Sequence, residues 1–92
     1  MNKQLIQASK SGNLDLVKEL ISKGADIHVG YDLALRWASE NGHLEVVKFL
    51  VREGADIHAV NEQSLRLARS CGYLEVANYL EGRIVRENLL NI

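Results

Sequence analysis

Histidine and cysteine have the widest chemical reach in this chain, as metal ligands, bases or nucleophile. There are three histidines and one cysteine. His28 and His58 sit thirty residues apart in matching surroundings, Gly24-Ala25-Asp26-Ile27-His28 and Gly54-Ala55-Asp56-Ile57-His58. Residues that recur this way stack in successive layers about 10 Å apart, whereas a zinc ion holds its ligands at about 2 Å. The two cannot share a metal. No cysteine or carboxylate cluster joins His28, His43 or His58, so structural or solvated roles are expected for all three. Cys71 has Ser11 and Asn41 as its counterparts sixty and thirty residues earlier. These are polar residues at helix ends, a pattern that predicts partial exposure, and no base stands ready to activate the thiol. The glycines follow no phosphate-loop spacing, and each is accounted for by a turn that needs positive φ. No metal, cofactor or nucleotide is implied, and the chain is not expected to be an enzyme.

Recognition is the chemistry left. Trp37, the one tryptophan, takes a position filled by Gln7 and Leu67 elsewhere. It reads either as a core filler or as an anchor at the edge of a binding face. Arg36 and Arg66 recur at the thirty-residue interval near the start of a helix. They read either as partner contacts or as hydrogen-bond donors to nearby loop carbonyls, with ion pairs to Asp32 or Glu62 as a further option.

The elements that position these residues follow from the repeat. Gly12, Gly42 and Gly72 keep the interval of thirty, as do Leu14, Leu44, Leu74, then Leu20, Leu50, Leu80, then Leu5, Leu35, Leu65, and Ala8, Ala38, Ala68. A fixed period of this size means stacked supersecondary units, none of which buries its apolar face alone. Within a unit, Leu35 and Ala38 followed by Gly42 give a short helix with a glycine stop. Leu44, Val47 and Leu50-Val51 give a second helix stopped by Gly54. The β-prone stretches Ile27-His28-Val29 and Ile57-His58-Ala59-Val60 are too short for independent strands and predict a hairpin-like turn projecting from the stack.

The segments Asn41-Gly42-His43-Leu44-Glu45-Val46-Val47-Lys48-Phe49-Leu50 and Gly54-Ala55-Asp56-Ile57 resemble the second helix and loop of the ankyrin repeat. Ala34-Leu35-Arg36-Trp37-Ala38 stands where that family has its T-P-L-H-x-A motif. Two departures are evident. The period is thirty rather than about 33 residues, and Leu33-Ala34-Leu35-Arg36 and Gln63-Ser64-Leu65-Arg66 replace the Thr-Pro-Leu-His segment. The shortening leaves Gly30-Tyr31-Asp32 and Val60-Asn61-Glu62 as short bridges. This short, proline-free style is similar to that of ankyrin proteins of giant DNA viruses of amoebae. By the resemblance, His43 takes a structural position between the helices of its repeat.

The expected fold class is therefore all-α, an ankyrin-type solenoid of three helix pairs plus a C-terminal capping helix. One domain covers residues 1–92, with repeats at about 1–30, 31–60 and 61–82 and a cap at 83–92. The first helix, about Asn2 to Ser11, sets Lys3, Gln4, Gln7 and Lys10 around Leu5, Ile6 and Ala8, as suits a terminal repeat facing water. In the cap, Val85, Leu89 and Ile92 are predicted on the inner stripe. The leucine and alanine series above, with Val17 and Val47, form the predicted core.

Composition narrows the function. The chain is 47% hydrophobic and 25% charged, with no run apolar enough to span a bilayer and no basic region leading into one. A net charge of −1 gives no electrostatic reason to bind nucleic acid or an anionic membrane. One cysteine cannot form an internal disulfide, and an intracellular, cytoplasmic location is expected. The resemblance implies that another protein binds the concave face formed by the bridges and first helices, with inhibition of a host or cellular protein as one outcome. The residues placed there are Tyr31, Asp32, Arg36, Trp37, Glu40, Asn41, Asn61, Glu62, Arg66, Arg69 and Ser70. An alternative is a structural adapter, or a homo-oligomer, joined through the apolar C-terminal residues Leu89, Leu90 and Ile92.

Overall fold

The computed structural model of the chain describes residues 1–91. Within them lie six helices and no strand: α1 (Asn2–Ser11), α2 (Leu14–Ser22), α3 (Val29–Glu40), α4 (Leu44–Arg52), α5 (Ala59–Ser70) and α6 (Leu74–Leu90). Helices α1, α3 and α5 pack side by side in one row, and α2, α4 and α6 form a second row against it. The all-α stack of three helix pairs is thus the architecture that the thirty-residue period demands.

Each pair is closed by the same local chemistry. Gly12 adopts φ 78°, and its left-handed turn lets the next amide, that of Asn13, reach the Ala8 carbonyl at 2.9 Å. His43 and Tyr73 make the same bond to Ala38 and Ala68, each at 2.9 Å. Asn13 then caps α2 by accepting the Leu16 amide at 3.2 Å.

The core runs between the two rows. Leu5, Val17, Leu35, Leu50 and Leu80 are wholly buried, as the interval predicts. Val46 and Val76 join them although they stand outside the leucine series. The series Leu14, Leu44, Leu74 behaves otherwise than predicted: the first two are half-buried and Leu74 is 65% exposed. These leucines open the second helices at the edge of the stack, and among the described residues no repeat is stacked beyond Leu74.

Two further expectations are corrected. No hairpin projects after Ile27 or Ile57, because the chain turns at once into the first helix of the next pair. The C-terminal segment is helical, but it continues α6 without a break, since Gly82 is absent from the positive-φ residues that end the other helices. Its proposed inner stripe faces outward instead, with Val85 49% and Leu89 64% exposed. Ile84 is the side chain of this segment that packs on the core. Ile92 lies outside the described residues.

Candidate functional site

The two bridges carry the least ordinary backbone in the molecule. Gly30, Tyr31 and Asp32 adopt φ of 64°, 57° and 58°, and Val60, Asn61 and Glu62 adopt 55°, 56° and 58°. Each bridge is one left-handed turn, and the right-handed helix resumes at Leu33 or Gln63. For a residue with a Cβ this conformation costs about 1–2 kcal/mol, and a β-branched residue such as Val60 is a true outlier there. Such turns persist only when their surroundings over-determine them.

The surroundings here are specific. Arg36 donates from Nε to the Tyr31 carbonyl at 3.0 Å and from Nη2 to the Gly30 carbonyl at 2.7 Å. Arg66 repeats this on Asn61 and Val60, both at 3.0 Å. Between the two readings left open for these arginines, the structure places both guanidinium groups on loop carbonyls. Arg36 also reaches the side-chain oxygen of Gln63 in the next repeat. The fork geometry of guanidinium makes this bidentate grip possible.

Asp32 does a second job. Its carboxylate accepts from Nδ1 of His28 at 3.0 Å and from the backbone amide of Asp56 at 2.8 Å. Asn2 makes the corresponding bond to the amide of Asp26, also at 2.8 Å. The side chain at the start of each first helix thus stitches the loop that ends the same repeat. With 4% of its surface exposed, Asp32 is an internal fastener, so it leaves the set of surface residues in which sequence reasoning placed it.

The remaining candidates are distributed along one edge. Tyr31 stands at the tip of its bridge, 80% exposed. Trp37 is half-buried on α3, with the Lys10 ammonium 4.9 Å from its ring centroid. Glu40, Asn61, Arg66 and Ser70 are exposed. Asn41 instead closes α3, donating from Nδ2 to the Trp37 carbonyl at 2.8 Å, and Arg69 pairs with Glu81 of α6 at 2.7 Å. Lys10 and Gln63 touch these candidates, at Trp37 and Arg36, without having been among them, and Gln7 and Lys10 are the repeat counterparts of Trp37 and Glu40.

At the last bridge the stitch changes form. Glu62 accepts from His58 Nδ1 at 2.8 Å, as Asp32 does from His28, but here His58 Nε2 also reaches Glu87 of α6 at 2.7 Å. The hydrogen bond to Glu87, then that to Glu62, raises the His58 pKa above its ordinary value of 6.5. Beside this ring lies an open depression of about 350 Å³ lined by His58, Asn61 and Glu62. Among the described residues, no group of three or more His, Cys, Asp or Glu is placed to hold a metal ion. No helix among them is long and apolar enough to cross a membrane.

The opposite edge of the stack, at the helix–helix turns, is built from ring-on-glycine contacts. The His43 ring lies over Gly12, so that a Cβ there would fall 2.5 Å from Nδ1, and its Nε2 donates to the Lys10 carbonyl at 2.8 Å. The Tyr73 ring covers Gly42 in the same way.

The sequence profile of ankyrin repeats matches residues 5–86, in three copies. No match is found among curated proteins.

Proposed function

Because this chain belongs to the ankyrin-repeat family, we propose that it is a binding module for one host or cellular protein, engaged through the first-helix edge. Ankyrin repeats are non-enzymatic modules that mediate protein–protein interaction. The observation that carries this reading is the contrast between positions along the edge. The turn glycines and the leucine and alanine core series repeat faithfully, while Gln7, Trp37, Leu67 and Lys10, Glu40, Ser70 change chemistry at equivalent, largely open positions. A stack needs none of that variation, whereas a specific partner does. Tyr31 and Trp37 supply the aromatic anchors that dominate interface energetics. Arg36 and Arg66 hold the bridge carbonyls and offer their remaining N–H groups beside them.

Inhibition of the partner is the biological outcome that a compact binder of this kind supports. An exposed free thiol at Cys71 fits an intracellular, reducing setting. The test has two steps. Cross-linking and mass spectrometry in the cell of origin identify the partner, and calorimetry then compares the wild type with Tyr31→Ala/Trp37→Ala. A tenfold or greater loss of affinity in a folded variant is expected, and unchanged affinity would move the site elsewhere.

A second reading, self-association through α6, rests on the exposure of Val85, Leu89 and Leu90. Sedimentation at high concentration decides it: a monomer unaffected by truncation after Glu87 removes it.

A further inference from the structure

The rings of His43 and Tyr73 occupy equivalent seats, over Gly12 and Gly42, and each is supplied by the following repeat. The third seat, at Gly72, has the same backbone, with φ 79° against 78° and 74°, yet a Cβ added there would meet nothing within 4 Å. An open cleft of about 360 Å³ adjoins it, lined in part by Gly72, Tyr73 and Leu74. Leu74 is 65% exposed, whereas Leu14 and Leu44 at the same position are half-buried.

Elsewhere this terminal face carries charge. Where Ser39 and Val51 lie buried between repeats, the third repeat carries Arg69 and Glu81, paired with each other at 2.7 Å. A full fourth repeat would bury that ion pair, which is costly without new partners. The turn end alone keeps the chemistry of an internal seat, with a charged pair on the same face of the terminal repeat. The cleft is mixed in character, with Leu44, Leu74 and Val76 beside Glu75, which is the layout of a small recognition site.

We propose that the Gly72 seat docks an aromatic or imidazole side chain presented at a helix–helix turn of a partner protein. The occupant is inferred from continuity with the inter-repeat interface, since both internal copies of the seat hold such a ring. This surface is separate from the first-helix edge, so it stands or falls independently of the binding proposed there.

The test uses the whole chain, labelled with ¹⁵N, and titrates it with p-cresol and 4-methylimidazole, the side-chain analogues of tyrosine and histidine. Saturable shifts in the millimolar range are expected at the amides of Gly72, Tyr73, Leu74 and Val76. Gly72→Asn keeps a residue type that tolerates the left-handed turn while filling the seat, and should abolish them. Leu74→Glu, a change on an exposed side chain, should weaken them at least threefold. Cyclohexanol, similar in bulk but not flat, should leave these amides unmoved. Absent shifts, shifts scattered over the first helices, equal shifts from cyclohexanol, or shifts that survive both variants would each overturn the proposal.

Discussion

The carboxylate of Asp32 holds the backbone amide of Asp56 at 2.8 Å, tying the start of a first helix to the loop that ends the same repeat. The same carboxylate receives His28 from the preceding loop at 3.0 Å. One side chain therefore connects two repeats and fixes the last residue of a left-handed turn. Replacing it with alanine strands the Asp56 amide and frees the turn. Asp32→Ala should destabilise the fold by about 1–3 kcal/mol, read as a lower midpoint in urea. An unchanged midpoint would mean that the stitch contributes nothing.

Val60 is the converse case, a residue the fold tolerates rather than needs. Its φ of 55° disfavours a β-branched side chain, and 43% of its surface is exposed, so only part of a valine's burial is forfeited on removing it. Relief of about 1–2 kcal/mol of strain is partly offset by the extra freedom glycine gives the unfolded chain, about 0.5–1 kcal/mol. Val60→Gly should therefore raise stability slightly, by about 0.5–1 kcal/mol. A lower melting temperature would show that the strain argument is wrong.

The bridges also mark where sequence reading stops. Interval-thirty leucines and alanines gave away the helix pairs, because burial against a neighbour imposes the same residue type each time. Nothing comparable marks the bridges: Asp32 and Asn61 are types that tolerate positive φ, but Tyr31, Val60 and Glu62 are not, and the turns are held by Arg36 and Arg66 on the bridge carbonyls. Asp32 reads as a surface residue because an isolated carboxylate belongs in water, and only the Asp56 amide and His28 explain its burial. Leu74 belongs to a faithful series, but no described repeat is stacked beyond it, and spacing alone does not show whether a member is covered by a neighbour.

His58 makes the C-terminal extension pH-sensitive. Glu87 and Glu62 raise its folded pKa above the unfolded value near 6.5. A raised pKa means that the protonated ring stabilises the folded state. That contribution is fully present below pH ~6.5 and is lost as pH rises through the folded pKa. Melting curves should show His58→Gln less stable than the wild type at pH ~5.5, the gap closing by pH ~8.5. The ring is roughly half exposed, so ~1 M salt should shrink the gap as well. A gap that does not change with pH would assign the effect to packing.

Gly12, Gly42 and Gly72 allow backbone strain to be separated from ring packing, since their φ values of 78°, 74° and 79° are nearly equal. Alanine at Gly72 meets open space, so its cost is the left-handed conformation alone, about 1–2 kcal/mol. At Gly42 the same methyl group collides with the Tyr73 ring, and at Gly12 with the His43 ring, so each adds the displacement of a packed aromatic side chain. Overpacking of this kind costs about 1–3 kcal/mol more. The order of stability should be Gly72→Ala above both Gly12→Ala and Gly42→Ala, measured by urea denaturation under one set of conditions. Adding Tyr73→Ala to Gly42→Ala should then recover part of the overpacking cost, because the colliding ring is gone. Equal losses at all three glycines, or no recovery in the double variant, would show that the rings are not what the glycines make room for.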